Sequence, residues 1–581
     1  MTNAELTRIF TRIADLLEIS GADPFRINSY RRVARTFKDL TEDVAELAAQ
    51  GRLADLPGVG KSTVGKITEY LTTGKITLLE ELEAKLPKGL PDLLRIPGLG
   101  PKTAALVHRE LGVGSTDELK AVIEDGRLAQ LPGMGAKSVE KIAEGLAFLA
   151  KSGGRTRLGV ALPVAEARLE QVRAIEGVKQ AVLAGSLRRG AETIGDVDIL
   201  CEGTDGKAII ERFVHLPQAA RVLAAGATKG SVTVITPDGN ELQIDLRVVP
   251  AESFGAALQY FTGSKEHNVR LREFAVKKKL RLNEYGLFDG DTQLAGRREE
   301  EIYTRLGLSC PPPELREDRG EFDPDLAERK LVALDDIRGD LHVHTTASDG
   351  AQGIEEMAAA ARQRGYQYLA ICDHSKSSTI ANGLSIEALL EHLAAVRAAN
   401  KRMKGIELLA GTECDILPDS SLDYPDEVLA QCDFVVASIH SAMRKGKATP
   451  TERTLAAIAN PWVTVIGHPT GRLINERAPM DLGLGRIAEA AAASHTALEL
   501  NAAWQRLDLK DIHLRQAVEA GAKVVISTDA HSIHGLDDMR YGILTARRAG
   551  LTPADVINTR PPATFKKWIA QKRGAETIRG R

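Results

Sequence analysis

Apolar residues recur three and four apart from the first positions of the chain, in MTNAELTRIFTRIADLLEIS, and helical composition continues to about residue 155, which predicts a helical region in two parts, 1–80 and 81–155. From about 160 the pattern changes to short β-rich runs, QAVLAGS, VDILCE, SVTVITP and LQIDLRVV, with helical segments between them. That alternation predicts a mixed sheet over 156–250. Residues 251–310 read as a further compact α/β piece, with Lys and Arg concentrated between Lys265 and Arg281. The stretch PPPELREDRGEFDPD (311–325), dense in Pro and charge, predicts a linker over 311–337. Beyond it come seven strand-like runs, DLHVH, YLAICDH, IELLAGTE, DFVVASIH, WVTVIGH, ALELN and KVVISTDAH, each followed by a helical segment, over 338–575. Seven β-then-α units predict a closed parallel (β/α)7 barrel, and the polar residues gather at the strand ends, where such barrels carry their chemistry.

Length agrees with this division: 581 residues at about 150 per domain imply about four modules. Charge changes the picture little. The 76 Lys and Arg against 79 Asp and Glu give a net −3, so any grip on nucleic acid must come from local patches or backbone contacts. Hydrophobic residues at 43% and charged residues at 27% are ordinary for a soluble globular protein. A mean hydropathy of −0.16, with no apolar run of about 18 residues, leaves no membrane span in the sequence. The five cysteines form no CxxC pair and there is no separate apolar signal core, so the expected compartment is a reducing cytoplasm. A monomer is the expected state.

Three segments repeat one another: LADLPGVGKSTVGKI (53–67), LLRIPGLGPKTAALV (93–107) and LAQLPGMGAKSVEKI (128–142). In each, Pro sets a turn, two glycines let the backbone approach something closely, and the residues that follow open a helix with free N–H groups. The element resembles the helix-hairpin-helix, which grips DNA phosphates without reading bases. The resemblance implies that Gly58, Gly60, Gly98, Gly100, Gly133 and Gly135 face the DNA, that Lys61, Lys102 and Lys137 add local charge, and that K+ or Na+ enters at the turns.

In GSLRRGAETIGDVDIL (185–200), Asp196 and Asp198 stand two apart on a strand and so share a face, and Asp245 lies on a second strand able to pair beside it. Three convergent carboxylates suit two Mg2+ or Mn2+ ions. Gly185 and Ser186 can open a phosphate-binding turn, with Gly195 beside the aspartates and Arg189 placed to hold triphosphate oxygens. This block resembles the family X DNA polymerases of the DNA polymerase beta type. The resemblance implies an α+β nucleotidyltransferase palm (156–250), a nucleotide-selecting thumb (251–310), a fingers-like helical domain (81–155), and dNTPs with gapped or primer-template DNA as substrates. It implies that Asp196 and Asp198 hold both ions and that Asp245 is the base nearest the primer hydroxyl. In YFTGSKEHNVRLR (260–272) it implies that Tyr260, Phe261 and Gly263 line the sugar pocket, that Asn268 touches the base and that Arg272 supports the template. Gln243 stands where vertebrate relatives carry Arg. The same family carries a 5′-deoxyribose phosphate lyase in its first domain, and Lys66, nine residues after Pro57, matches that nucleophile. Such a lysine needs a lowered pKa, for which Lys61 and Arg31 are candidate helpers, and Tyr30 with Arg31 aligns with the lyase surface.

The last third holds nine metal-compatible side chains at predicted strand ends: His342, His344, Asp349, His374, Glu413, His440, His468, Asp529 and His531. Six of them are histidines, from a total of thirteen. So many ligands exceed one four-coordinate site and point to two or three Zn2+ or Mn2+ ions with Glu413 as a bridge, suited to attack on a phosphorus ester. Cys372 and Cys414 adjoin ligands, but strand alternation turns them into the core. This third resembles the polymerase and histidinol phosphatase (PHP) domain, which implies a 3′-5′ exonuclease, with AP-endonuclease activity as an extension. A competing reading joins a nucleotidyltransferase for RNA or metabolites to a small-molecule PHP phosphatase, and another is a DNA-binding scaffold with inactive sites. The three DNA-gripping hairpins and YFTGS favour the repair polymerase.

Overall fold

The computed structural model describes residues 2–39, 44–56, 58–86, 90–94, 96, 99–152, 154–443 and 447–574. The chain divides into two compact units, one of 1–155 with the short segments 235–241 and 475–478, the other of the remainder. In the first, helix Thr2–Ile19 turns Leu6, Phe10, Ile13 and Leu17 to one side, a three-and-four spacing that buries them against Phe37 and Ile67. A second cluster, built on Leu90, Val107, Val113, Leu119 and Ile142, holds helices Pro101–Leu111, Thr116–Glu124 and Ala136–Ser152 together. Among the described residues no helix is long and apolar enough to cross a membrane.

The second unit begins with a middle domain whose strands are β1 (Thr156–Arg157), β2 (Val178–Leu183), β3 (Thr193–Ile194), β4 (Asp196–Gly203), β5 (Arg221–Ala225), β6 (Lys229–Ile235) and β7 (Glu241–Val249). Five of them form a sheet in the order β2-β4-β7-β6-β5, with β4 and β7 parallel, while β1 pairs antiparallel with β3. A small antiparallel sheet, β8 (Arg281–Asn283), β9 (Gly286–Asp289) and β10 (Thr292–Ala295), packs with helices Phe254–Thr262, Lys265–Lys277 and Glu299–Leu306 around Leu271, Ile302 and Tyr303.

Strands β11 (Gly339–Val343), β12 (Tyr368–Ile371), β13 (Glu407–Asp415), β14 (Phe434–Ser438), β15 (Val465–Ile466), β16 (Ala497–Asn501) and β17 (Lys523–Ser527) follow one another in one parallel seven-stranded sheet. Val343 bridges to Ala530 just past β17 and brings the ring nearly to closure. These strands are buried throughout, as strands covered on both faces must be, and the polar residues among them, Asp340, His342, Glu499 and Asn501, are buried with the rest. Helix Pro562–Gly574 seats Phe565 and Trp568 against one part of the barrel, with Phe565 stacked on Tyr368 at 4.6 Å between centroids.

One expectation fails here. The segment 311–325 is not a free linker but a strap packed between the small sheet's helices and the barrel. Buried Arg316 pairs with Glu299 and donates to the Pro311 carbonyl, and buried Glu321 meets His267 at 2.6 Å. Glu314 pairs with Arg547 at 2.6 Å, Glu317 with Arg548 at 2.8 Å, and Arg319 with Asp511 at 2.9 Å. In the linear sequence these charges read as solvated because their partners lie far along the chain.

Barrel residues also enter the middle domain's core. Ile474, Leu507 and Tyr541 belong to the same buried cluster as Leu158, Leu169, Ile199 and Leu246, with Trp504 and Leu544 packed against it.

Candidate active sites

The first site forms where β4 and β7 lie side by side. Their parallel register sets Asp196 opposite Gln243 and Asp198 opposite Asp245. Because alternate residues on a strand share a face, the oxygens of Asp196, Asp198 and Asp245 all come within 4.8 Å of one another. Burial and the neighbouring carboxylates of Asp196 and Asp245 push the Asp198 carboxyl up to about 7. Asp245 is shifted the other way: burial acts to raise it, but hydrogen bonds from Lys229 and Gln243 outweigh that. Lys229 Nζ lies 2.7 Å from one oxygen of Asp245, and Gln243 Nε2 donates to the other at 2.8 Å.

Gly185 opens the turn beneath these carboxylates with φ +63°, and a Cβ there would stand 2.3 Å from Asp198 Oδ2. Ser186 is half-buried on the same turn, and Gly195 is exposed just before β4. Arg189 departs from its expected role. Its Nε pairs with Glu317 at 2.9 Å and its Nη1 donates to the Thr262 carbonyl at 2.8 Å, so its fork is already engaged within the fold. Arg188 similarly grips Glu299 at 2.7 Å. The turn's two arginines thus clamp the helix that ends in YFT.

Tyr260 and Phe261 meet edge to face at 5.2 Å, and the Arg247 guanidinium lies 4.7 Å over Phe261. Asn268 donates to the Tyr260 and Gly263 carbonyls and accepts from Gln259, which fixes its amide, while Arg272 is exposed. Phe261, Arg247, Lys229, Asp198 and Asp245 line one small cavity of about 40 Å³. Lys229 had no motif to reveal it; only the sheet brings it beside Asp245.

The second site gathers all nine expected residues of the barrel. Three groups have ligand atoms within metal-binding reach of one another: His344, Asp349, His374 and His531; His342, His344 and Asp529; and His374, Glu413 and His440. His468 joins them through Glu413, at 2.9 Å, and lies 3.3 Å from His440, Nε2 to Nε2. Buried Glu413 stands centrally, also 2.9 Å from His374 and 3.3 Å from His440. Burial alone would raise its carboxyl, yet His440, His374 and His342 hold it well below the usual range. Burial and the neighbouring His531 and His374 push His344 down to about 4, which keeps its imidazole neutral, the form that ligates metal. Both its ring nitrogens, with His342 Nε2, His374 Nδ1, His468 Nδ1 and Glu413 Oε2, are buried without a hydrogen-bond partner. Buried polar atoms are almost always satisfied, so this concentration of orphans fits a donor set for metal ions.

Outer partners orient the ligands. Glu499 accepts from His342 Nδ1 at 2.8 Å and from Ser527 at 2.6 Å, Asp415 pairs with His440 Nδ1, and Asn501 donates to Asp529 at 3.0 Å. Asp415 stands two residues beyond Glu413 on β13, so strand alternation could have revealed it; Glu499 in ALELN carried the same signal. Cys372 and Cys414 are buried.

Of the three turns, Gly58 and Gly133 adopt φ of +79° and +76°, and Gly60 and Gly100 cap the helices Lys61–Thr73 and Pro101–Leu111. A Cβ at Gly60, Gly100 or Gly135 would meet nothing within 4 Å, so the chain's own packing does not require glycine there. Lys61, Lys102 and Lys137 are exposed beside them, and Gly98 lies outside the described residues. Half-buried Lys66 donates to Ser62 Oγ at 2.7 Å and lies 5.9 Å from the Tyr30 ring. The Arg31 guanidinium pairs with Glu18 and Asp15.

A carboxylate triad on paired parallel strands, a nucleotidyltransferase-type centre, thus shares a chain with a histidine-rich PHP-type barrel and helix-hairpin-helix turns. Residues 1–76 match the helix-hairpin-helix domain, 90–147 the SAM-like helix-hairpin-helix tandem, 257–317 the DNA polymerase beta thumb and 340–503 the PHP domain. The chain is 39% identical over 562 residues to the DNA polymerase/3′-5′ exonuclease PolX of Bacillus subtilis, covering 96% of this chain and 98% of that protein. It belongs to that PolX family. DNA polymerase lambda of Arabidopsis thaliana is 28% identical over 53% of this chain and 58% of its own length. A probable phosphatase of Thermoanaerobacter sp. is 27% identical over 40% of this chain and 95% of its own length.

Proposed function

We propose that the protein is a DNA-directed DNA polymerase that fills short gaps with dNTPs during repair, and that its barrel is a metal-dependent 3′-5′ exonuclease. The observation that carries the reading is the pair of separate ligand clusters in one chain, three carboxylates on β4 and β7 and nine ligands on the barrel rim. In this reading 1–80 and 81–155 grip DNA, 156–250 is the palm, 251–310 the thumb and 338–575 the nuclease.

Asp196 and Asp198 hold the ions of the polymerase centre, and Asp245 accepts the primer hydroxyl's proton. Lys229 and Gln243 keep Asp245 ionised for that task. Tyr260 and Phe261 stack behind the sugar, Gly263 gives the room that Asn268 and His267 fill, Asn268, held by Gln259 and the Tyr260 and Gly263 carbonyls, borders the base, and Gly185 with Ser186 admits the triphosphate. Hard carboxylate oxygens favour Mg2+ or Mn2+ here, and the histidine-rich set favours Zn2+ or Mn2+ in the barrel. Bound ions at either centre supply charge neutralisation and a more acidic attacking hydroxyl or water. Glu413, which His374, His440 and His468 surround, would hold the barrel's ions together with those histidines, and Glu499 and Asp415 orient His342 and His440. K+ or Na+ at the hairpin turns, a monomeric state and cleavage beside abasic sites extend the same reading. Lys66 is the candidate lyase nucleophile, testable by borohydride trapping on abasic DNA. The five cysteines are unpaired, which suits a reducing compartment.

A labelled primer on gapped DNA tests the whole. Asp198→Ala should end extension while shortening continues, and His344→Ala should do the reverse. Extension at the wild-type rate in Asp198→Ala overturns the polymerase assignment. Hydrolysis of small phosphate esters with no effect on DNA would favour the phosphatase reading, which the barrel's likeness to the probable phosphatase supports.

A further inference from the structure

We propose that Arg506 is the residue that binds the substrate's phosphate in the barrel, and that the middle domain holds it in place. The proposal rests on the reading of the barrel as a phosphodiesterase. Arg506 lies on the loop between β16 and helix Asp511–Glu519 and lines the cavity of about 410 Å³ that holds the histidine cluster. Among the described residues lining that cavity it alone carries a fixed positive charge. Its side chain is 19% exposed, its Nε stands 3.6 Å from Asp529 Oδ2, and its Nη1 is buried with no hydrogen-bond partner. The accessible part of the guanidinium borders the cavity, and a planar fork is suited to two oxygens of one phosphate.

The loop's other face explains how the fork is aimed. Leu507, next in sequence, is fully buried in the middle domain's core at φ +42°, a conformation that L-residues rarely adopt and that needs firm support. Trp504 lies so close to Gly159 that a Cβ there would stand 2.2 Å from Trp504 Cγ, and the Arg157 guanidinium lies 4.8 Å over the indole. Asp508 accepts from Thr470 at 2.8 Å and ties the loop back to the barrel. Arg506 is therefore fixed between two domains, with Trp504 as its positioning residue.

Titration of the full-length, Mn2+-loaded protein with inorganic phosphate tests this without turnover. Arg506→Ala should weaken phosphate binding at least tenfold with Mn2+ stoichiometry unchanged, and Arg506→Lys should recover part of the loss. Trp504→Ala, and Gly159→Ala made wholly on the middle-domain side, should weaken phosphate in the same direction, while Trp504→Phe restores it. Unchanged phosphate affinity in Arg506→Ala, with matching circular dichroism, overturns the proposal. Loss of Mn2+ in that variant also overturns it and makes Arg506 a support for Asp529. If Trp504→Ala and Gly159→Ala bind phosphate as wild type does, the middle domain's part in it is wrong. A wild-type protein that binds phosphate through Arg506 but leaves DNA intact would sink the nuclease reading and not this one.

Discussion

At the scale of single residues the first centre depends on one glycine and one shifted carboxyl. Gly185→Ala would press a methyl onto Asp198 and force φ +63° on an L-residue, so extension should fall by about 100-fold, as for a catalytic group misplaced by about 1 Å. Primer shortening by the same variant should remain at the wild-type rate. Asp198 titrates near 7, so below that pH a proton competes with metal for its oxygens. The Mg2+ concentration for half-maximal extension should therefore be flat above about pH 7.5 and rise as pH falls from 7 to 6, approaching about tenfold per unit. Extension followed against Mg2+ at several pH values reads this directly, and a flat dependence would contradict the shifted carboxyl. What could be read in advance at this scale follows from strand alternation, which puts Asp196 beside Asp198 and His342 beside His344. Lys229 and Arg506 carry no such signal, because each reaches its site from a different element than the ligand it meets, and only the pairing of neighbouring strands brings them together.

Elements behave differently. The three turns show how local composition specifies geometry: Gly60 and Gly100 cap helices whose first turns receive no side-chain cap, and the space beside each is open. Gly60→Val or Gly100→Val should weaken binding to gapped DNA more than Lys61→Ala does, since the branched side chain occupies the position of the phosphate. Each phosphate that the variant no longer neutralises should flatten the log–log salt slope by roughly 0.9 on duplex DNA. Binding measured from 50 to 200 mM salt, with helicity confirmed by circular dichroism, decides between a DNA grip and a merely structural turn. The strap at 311–325 is the opposite case, where Pro and charge density give a wrong expectation. With His267 neutral, its Nδ1–H donates to Glu321 and its Nε2 accepts from Tyr303 at 2.8 Å, and no pattern in REDRGEFD announces a buried histidine partner. Composition describes what a segment is made of; long-range ion pairing decides whether it is free.

For the whole molecule, the order of modules along the chain is legible in the sequence, but the sharing of a core between two of them is not. Ile474, Leu507 and Tyr541 look like ordinary barrel residues until the fold sets them among Leu158, Leu169 and Leu246. A cut within 311–325 that releases the barrel would strip these from the middle domain and break the Glu314, Glu317 and Arg319 pairs as well. The 1–315 fragment should therefore lose extension and aggregate, whereas the full chain with His344→Ala keeps extension. Recovery of a soluble, active 1–315 fragment would contradict the shared core.

The indole of Trp504 resting on Gly159 has a meaning for the history of such chains. A lineage that no longer needed the nuclease could discard its histidines one at a time at little cost to folding, but could not discard the barrel without first rebuilding the surface that the indole covers. Decay of the second activity would then leave a silent barrel still attached, retained as a folding partner long after its chemistry had gone.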